Sequence, residues 1–535
     1  MKNRRKNNLF GCLHEFRQFF FITLLSVLSV NLYAQQRGIQ GVVVDGNGET
    51  IIGANVVSED GKVGVITDLD GNFKLDVPVG TKIKISYIGY ETKVLKATAG
   101  NMKITLSEDS QMLGEVQVVA YGTQKKVTVT GAISGVKGET LTQIPTGTIS
   151  SMLAGPVSGV SSVQYSGEPG SNAAQLFIRG KATFNNANPL VQVDGVERDL
   201  NEIDPNDIED ITVLKDASAT AVFGVRGANG VILVTTKRGS EGKAKISFSS
   251  TESILMPTKM LEMANAYQYA LYHNQMRLND DGIPQFSDAI IEKFRTHSDP
   301  LRFPDTDWTD SVLKDFTFQT RNNVNISGGT KTVRYFLSAG AYTEGGLLKQ
   351  FDQKYDNSYQ YKRFTYRGNV DIDVTNTTTL SFSVGGSVDN ANKGNTGSVN
   401  NIVKQIYWSP PFSSPGLVDG KFLVGSTQYT TYQGEEEGLP FVGGNPISQY
   451  YGKGFIATSN NRLSADIGLK QKLDFVTKGL SLRLKGSYNS SFYERKTGTA
   501  EVAAYIPVLQ EDGSFLYKKS GDNSQLSIGQ PASGV

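Results

Sequence analysis

The 535-residue sequence has a single cysteine, Cys12, and three histidines, His14, His273 and His297. If the amino-terminal segment that holds Cys12 is removed, no disulfide, cysteine metal site or cysteine nucleophile is possible. His273 and His297 fall in a long loop stretch with neither metal-ligand spacing nor a nucleophile pattern beside them, so no catalytic residue, metal or cofactor is expected and an enzyme is the least favoured reading. No run of 18 or more apolar residues occurs, which excludes a helical membrane protein. Charge of one sign is also missing as a cluster. The 53 Lys plus Arg nearly balance the 52 Asp plus Glu, and a nucleic-acid partner, whose phosphates would need grouped cations, is not expected.

What is present is 57 glycines, 23 tyrosines and 26 phenylalanines. A content of 38% hydrophobic residues can build cores and rules out general disorder. The length exceeds one small domain. This helix-poor mixture fits either a soluble multidomain β protein or a membrane β-barrel.

The amino terminus separates the compartments. Lys2, Arg4, Arg5 and Lys6 precede the apolar run Phe19 to Val30, which closes on NLYA. These are the three regions of a secretory signal peptide, expected at 1–34 with cleavage after Ala34. Cys12 precedes the apolar run and so cannot be a lipoprotein acylation site. Losing Lys2, Arg4, Arg5, Lys6, Arg17 and Glu15 leaves a slightly acidic mature chain.

From 35 to 110 short alternating segments, such as Lys82-Ile83-Lys84-Ile85, are cut by the pairs Asp45-Gly46, Asp60-Gly61 and Asp70-Gly71, which read as hairpin turns in an all-β sandwich. Asp68, Asp70 and Asn72 imitate the start of a calcium loop, but Phe73 stands where the turn glycine belongs and Val79 where a bidentate Glu belongs. The segment resembles the carboxypeptidase regulatory-like domain, a transthyretin-like sandwich, and the resemblance implies an accessory module without catalytic residues.

Residues 113–126, LGEVQVVAYGTQKK, form a β-prone run outside any core, suited either to an ordinary connector or to pairing with the sheet edge of a partner. Further on stand FIRG at Phe177 to Gly180, PLVQVDGV at Pro189 to Val196, and LKDASATAVFGVRGANGVILVTTKRG at Leu214 to Gly239. In that order, these strings closely resemble the SusC/RagA group of TonB-dependent outer-membrane transporters. The resemblance implies a TonB-interacting segment at Glu115, Val116, Gln117, Val118, Val119, Ala120, Tyr121 and Gly122. It also implies a plug domain at 127–240 with signature residues Asp194, Gly195, Lys215, Asp216, Ala217, Gly224, Arg226, Gly227 and Gly230. Read from the residues alone, Asp216 to Ala221 is the start of a small-residue helix with Asp near its amino end. The glycines 224, 227 and 230 lead into a strand at Val231 to Thr236 and serve tight turns and close packing. Their G-x-x-G-x-x-G spacing is not a nucleotide loop. Arg226 is expected to serve structure, as an ion pair with a barrel wall or within a polar interface.

The region 241–535 alternates as barrel strands do. In Arg363 to Val374, Phe364, Tyr366, Gly368, Val370 and Ile372 oppose Arg363, Thr365, Arg367, Asn369, Asp371 and Asp373. Thr378 to Val388, Arg462 to Leu473 and Leu480 to Phe492 repeat the split. Short connections at Gly328 to Lys331, Thr375 to Thr377 and Val476 to Gly479 alternate with long ones at Met256 to Arg321, Glu344 to Tyr359 and Asp389 to Asn461, as periplasmic turns and external loops do. About seven strands result, against about 22 in a plugged transporter barrel, so the chain reads as the amino-terminal part of such a protein. An open barrel exposes unpaired edges to lipid. Tyr493 to Val535 is expected to be an unfinished external loop.

The expected fold class is therefore mainly β: a transthyretin-like β-sandwich, an α/β plug and the first part of a transmembrane antiparallel β-barrel, located in the outer membrane in contact with its lipid. The resemblance implies import of a bulky oligosaccharide or peptide, energised by TonB with ExbB and ExbD, beside a SusD-like surface lipoprotein. Tyr407, Trp408 and Phe412 are aromatic candidates for cargo contact, or else loop anchors or girdle residues. The alternative from another class is a secreted, glycan-binding adhesive β protein without transport; a signalling receptor is a weaker variant.

Overall fold

The computed structural model describes residues 38–534 except 47, 60, 88–89, 108–115, 120–121, 126–132, 182, 184, 521–525 and 530–531. The expected signal segment 1–34 lies outside the described residues, which form two compact units.

The first unit is a β-sandwich of β1 (Ile39–Val44), β2 (Asn55–Ser58), β3 (Gly64–Ile66), β4 (Asn72–Leu75), β5 (Lys82–Ser86), β6 (Lys93–Lys96) and β7 (Asn101–Thr105). One sheet has the order β4-β1-β7 and the other β3-β2-β5-β6. Ile83 and Ile85 point into the core with Val43, Val56 and Ile104, while Lys82 and Lys84 face out, as period-two alternation requires. One turn departs from expectation. Asp70-Gly71 does not close a hairpin, because β3 and β4 belong to different sheets. The Asp68 carboxylate accepts the N–H groups of Asp70 at 3.0 Å and Asn72 at 2.8 Å, and Gly71 takes φ 74°, so a side-chain-mediated turn carries the chain from one layer to the other. After the sandwich come β8 (Val116–Val119) and β9 (Gly122–Lys125).

In the second unit a five-stranded sheet of order β10-β15-β16-β13-β14 is built from β10 (Ile133–Lys137), β13 (Leu190–Val193), β14 (Val196–Glu197), β15 (Ile208–Leu214) and β16 (Val231–Thr236). A ribbon of β11 (Val160–Val163) and β12 (Gln175–Ile178) stands beside it, with short helices α1 (Gly138–Thr142), α2 (Ile149–Met152) and α3 (Ala217–Thr220). The unbroken apolar run Val231 to Val234 of β16 follows from burial on both faces, which the Ile211 to Leu214 end of β15 shares. Their core includes Leu141, Ile149, Met152, Ile211 and Ile232.

Residues 237–241 lead from β16 into a wall of seven long antiparallel strands, each paired with the next: β17 (Gly242–Leu255), β18 (Thr317–Gly329), β19 (Val333–Gly345), β20 (Gln360–Asp373), β21 (Thr378–Gly394), then β26 (Gly454–Lys472) and β27 (Ser481–Ala500). No described helix is long and apolar enough to cross a membrane. The strands, of 13 to 20 residues, are long enough, since about 9–11 tilted residues suffice. The polarity of the wall is inverted. Thr365, Arg367 and Asn369 are buried, whereas Phe364 is 49% and Tyr366 42% exposed; Phe382 and Val384 repeat this on β21. The polar face is turned toward the plug and the apolar face outward.

Three expectations are corrected here. The strands run past their predicted ends, β18 starting at Thr317, β21 reaching Gly394 and β26 starting at Gly454, because pairing continues where the apolar face has already given way to residues such as Asn390 and Asn392. The long connections are not open loops. They fold into a cap of α4 (Ala266–Asn279), α5 (Asp288–Thr296), α6 (Trp308–Val312) and α7 (Val399–Trp408), with β22 (Gly416–Val418), β23 (Lys421–Leu423), β24 (Gln428–Thr431) and β25 (Gly434–Glu437). Nor is 493–535 an unfinished loop: β27 continues to Ala500, β28 (Ala504–Leu509) and β29 (Phe515–Ser520) pair together, β28 extending the cap sheet, and β30 (Leu526–Ile528) and β31 (Ala532–Gly534) return to pair with β27. Phe412 is fully buried in the aromatic core of the cap with Phe286, Phe294 and Tyr429, and so is unavailable to cargo. Trp408 is exposed, with the Lys404 ammonium 3.7 Å from its ring centre, and Tyr407 is half-buried.

Candidate functional site

The plug signature residues form turns and pins within the plug. Asp194 and Gly195, with φ 50° and 82°, make the two-residue turn between β13 and β14, the left-handed pair that such a hairpin needs. The Asp194 carboxylate then accepts the Thr236 N–H at 3.0 Å and the Thr236 hydroxyl at 2.7 Å, tying this turn to the end of β16. Lys215 donates to Ser134 Oγ at 2.5 Å and to the Ser158 carbonyl at 3.0 Å. Asp216 occupies the N-cap position before Ala217 and pairs with Arg179, itself in a left-handed turn with Gly180. A Cβ on Gly227 would stand 2.9 Å from the Thr220 carbonyl oxygen. Gly230 has φ 88°, and a Cβ there would stand 2.6 Å from Ile178 Cδ1; Gly224, at φ 57°, marks a kink after α3. Arg226 pairs with Glu197 of the plug itself, so a bond to the wall is not observed. Of the expected TonB-interacting residues, Glu115, Ala120 and Tyr121 lie outside the described residues; Val116 to Val119 form β8 and Gly122 opens β9.

The side chains that meet the wall are different ones, concentrated on the plug stretch 198–207, with two short 3-10 turns at Leu200–Glu202 and Pro205–Asp207. Asp199 and Asp204 open these turns by accepting the N–H groups of Asn201 and Asn206, each at 2.8 Å. That folding faces successive side chains to the wall. Arg198 makes two parallel bonds to Asp466 of β26, at 3.0 and 2.5 Å, and further bonds to Asn489 and Ser487 of β27. Glu202 lies 3.0 Å from Arg462, which also pairs with Asp389. Arg363 links the Asn201 carbonyl at 2.5 Å to Asp389 at 2.7 Å. Asp207 sits 3.5 Å from Arg367, both nearly inaccessible. Burial pushes the Asp207 carboxyl up to about 6, with help from Asp204 and against the pull of Arg367; burial also raises Glu202, against Arg462.

Other contacts extend the seam, among them Arg321 on the Thr146 carbonyl at 2.7 Å and Lys485 on the Asp194 carbonyl. Near the outer strand ends, Lys393 meets Glu168 at 2.7 Å and Asn172 donates to Glu344 at 2.7 Å. At the β16 end, Asn369 donates to the Lys237 carbonyl at 2.7 Å and to Thr236 Oγ1 at 3.1 Å, and Arg238 reaches Asp371 at 3.1 Å. The seam is thus rich in charge-assisted hydrogen bonds, a kind of bond that is strong while formed and can be exchanged for bonds to water. No group of three or more His, Cys, Asp or Glu among the described residues is arranged to hold a metal. Sequence reasoning singled out none of Arg198, Glu202 or Asp207; the available signal was the charge density of VERDLNEIDPND, which runs alongside a set of strands with charged inner faces.

Residues 125–231 match the TonB-dependent Receptor Plug Domain and residues 39–118 the CarboxypepD_reg-like domain. The TonB-dependent receptor SusC of Bacteroides thetaiotaomicron is 36% identical over 369 residues, 66% of this chain and 34% of that protein. TonB-dependent receptor P3 of Formosa agariphila is 29% identical over 427 residues, 77% of this chain and 39% of the relative. The chain therefore spans little more than a third of the length of these curated relatives. Among solved structures, the RagAB peptide importer in its open-open state superposes with a TM-score of 0.55 at 21% identity, covering 72% of this chain and 43% of that one.

Proposed function

We propose that this chain, which belongs to the SusC/RagA group of TonB-dependent receptors and so to the outer membrane, supplies the plug and part of the wall of an importer for a bulky hydrophilic nutrient. The observation that carries this reading is the seam. A plug fixed to an inward-polar wall by Arg198–Asp466, Glu202–Arg462 and Asp207–Arg367 closes a passage through bonds that a pull can exchange for water. A permanent core would use apolar packing there instead. Oligosaccharides and peptides are the proposed cargo, TonB acting with ExbB and ExbD the proposed source of force through 115–122, and a SusD-like lipoprotein the proposed outer partner. The outward apolar face, with Phe364, Tyr366, Phe382 and Val384 exposed, supports a lipid-embedded protein over a secreted adhesive one.

The experiment is deletion of 115–122 in the full-length protein, followed by uptake of labelled oligosaccharides and peptides by cells. Uptake is expected to stop while binding at the cell surface persists. Uptake that continues undiminished sinks the proposal.

A further inference from the structure

A cavity of about 270 Å³ interrupts the seam, bounded by plug residues 197–203 and by Arg367, Ser387, Arg462, Ser464 and Ser490 of the wall. Arg367 and Ser387 are at least nine-tenths buried, yet Ser387 Oγ has no hydrogen-bond partner among the described residues, and Arg367 Nε, 3.5 Å from Asp207, is ion-paired without a hydrogen bond. A buried polar atom without a partner is costly, so a hydrogen-bonding guest gains there bonds that the resting structure does not make. The lining mixes hydroxyls with guanidinium and carboxylate groups of both signs, which suits an uncharged polar surface. The cavity is smaller than the pockets of about 300–1,000 Å³ that enclose a drug-sized ligand, so bulky cargo needs it to widen. The two flanks differ in how they can yield. Toward β21, β26 and β27 the plug is held by non-covalent bonds alone, the pairs Arg198–Asp466 and Glu202–Arg462 and the Lys485 ammonium on the Asp194 carbonyl. At the β16 end similar bonds occur, Asn369 on the Lys237 carbonyl and Arg238 on Asp371, but there the chain itself also continues into the wall.

From this asymmetry, and resting on the import reading, we infer that cargo crosses along the seam between plug residues 197–203 and strands β21, β26 and β27. Arg198 and Glu202 release the wall there while Thr236 and Lys237 stay against β20.

Cys12 is the single cysteine of these 535 residues; with Cys12→Ser and every cysteine elsewhere in the full-length protein replaced, each introduced cysteine reports one position. Cells producing the full-length protein and growing on rich medium are treated with a membrane-impermeant sulfonated maleimide, with and without a protonophore. Ser387→Cys is expected to react several-fold faster in energised cells, with Ser490→Cys as a second reporter on β27 should the first variant fail to assemble. Asn369→Cys at the anchored flank and Thr212→Cys in the plug core are expected to show no such gain. No gain at either seam position, or an equal gain at Asn369→Cys or Thr212→Cys, overturns the inference, the latter because the plug would then leave or unfold as a whole. If uptake needs 115–122 while the seam cysteines stay silent, only the path is wrong; uptake indifferent to that deletion removes the import reading itself.

Discussion

Arg198 of the plug and Asp466 of the wall, 268 residues apart in sequence, face each other in a two-point ion pair with both side chains less than a tenth exposed. Removing one partner of a buried pair leaves an uncompensated charge and costs about 3–5 kcal/mol. Asp466→Asn is therefore expected to lower the denaturant midpoint of the folded protein in detergent, and Arg198→Met combined with Asp466→Leu to lower it less than Asp466→Asn alone. A double-mutant cycle checks this; additivity of the two single changes would contradict the direct pairing.

The Asp207 carboxyl, held up at about 6 by burial against an ordinary 3.8, gives a pH signature with a definite sign. Between those values the folded state binds a proton that the unfolded state does not. This group therefore adds stability as pH falls from about 6 toward 4, by at most about 1.4 kcal/mol per pH unit, and adds none above 6. Unfolding of wild type and Asp207→Asn compared across pH 4–7 is expected to show the wild type gaining on the variant in that window. A constant difference would show that Asp207 is not raised.

Gly230 combines φ 88° with a neighbour, Ile178 Cδ1, 2.6 Å from the place a Cβ would take. Gly230→Val is expected to lose about 1–3 kcal/mol from backbone strain, with packing losses in addition. Limited proteolysis of the plug reads this out, and Gly167→Ala, at a position without a left-handed φ where a Cβ meets nothing within 4 Å, serves as the comparison.

Val384, 45% exposed on the outward face of β21, alternates with the buried Ser383. Val384→Arg is expected to weaken folding into lipid vesicles by about 2–4 kcal/mol if the residue lies near the bilayer midplane. Ser383→Arg acts differently, by crowding the plug, and its effect is expected to persist in detergent.

The parts of the fold legible in the sequence were those where a single residue type has a single local use. Asp194-Gly195 announces a left-handed turn, and Phe364, Thr365, Tyr366 and Arg367 announce a wall whose polar side is the inside. The cap was not legible. Its helices obey ordinary rules, α4 starting with Asn265 and Gln268 in mutual capping bonds, but they lie inside connections whose length alone suggested loops. The seam was hidden for another reason. Arg198 and Asp466 are each unremarkable on a charged surface, and only the folding of 198–207 into two capped turns brings opposite signs to one place. Arg226 shows the converse: a charge in a distinctive motif whose ion pair, with Glu197, lies within its own domain.

The five residues 237–241 that join β16 to β17 have a consequence for the range of any plug movement. Fully extended, such a segment reaches roughly 20 Å. The carboxyl end of the plug is thus on a short leash, and as long as β16 stays in its sheet that end cannot be drawn clear of the wall. Motion is confined to swinging about this attachment, and full withdrawal would require the central strand of the plug sheet to be stripped out residue by residue.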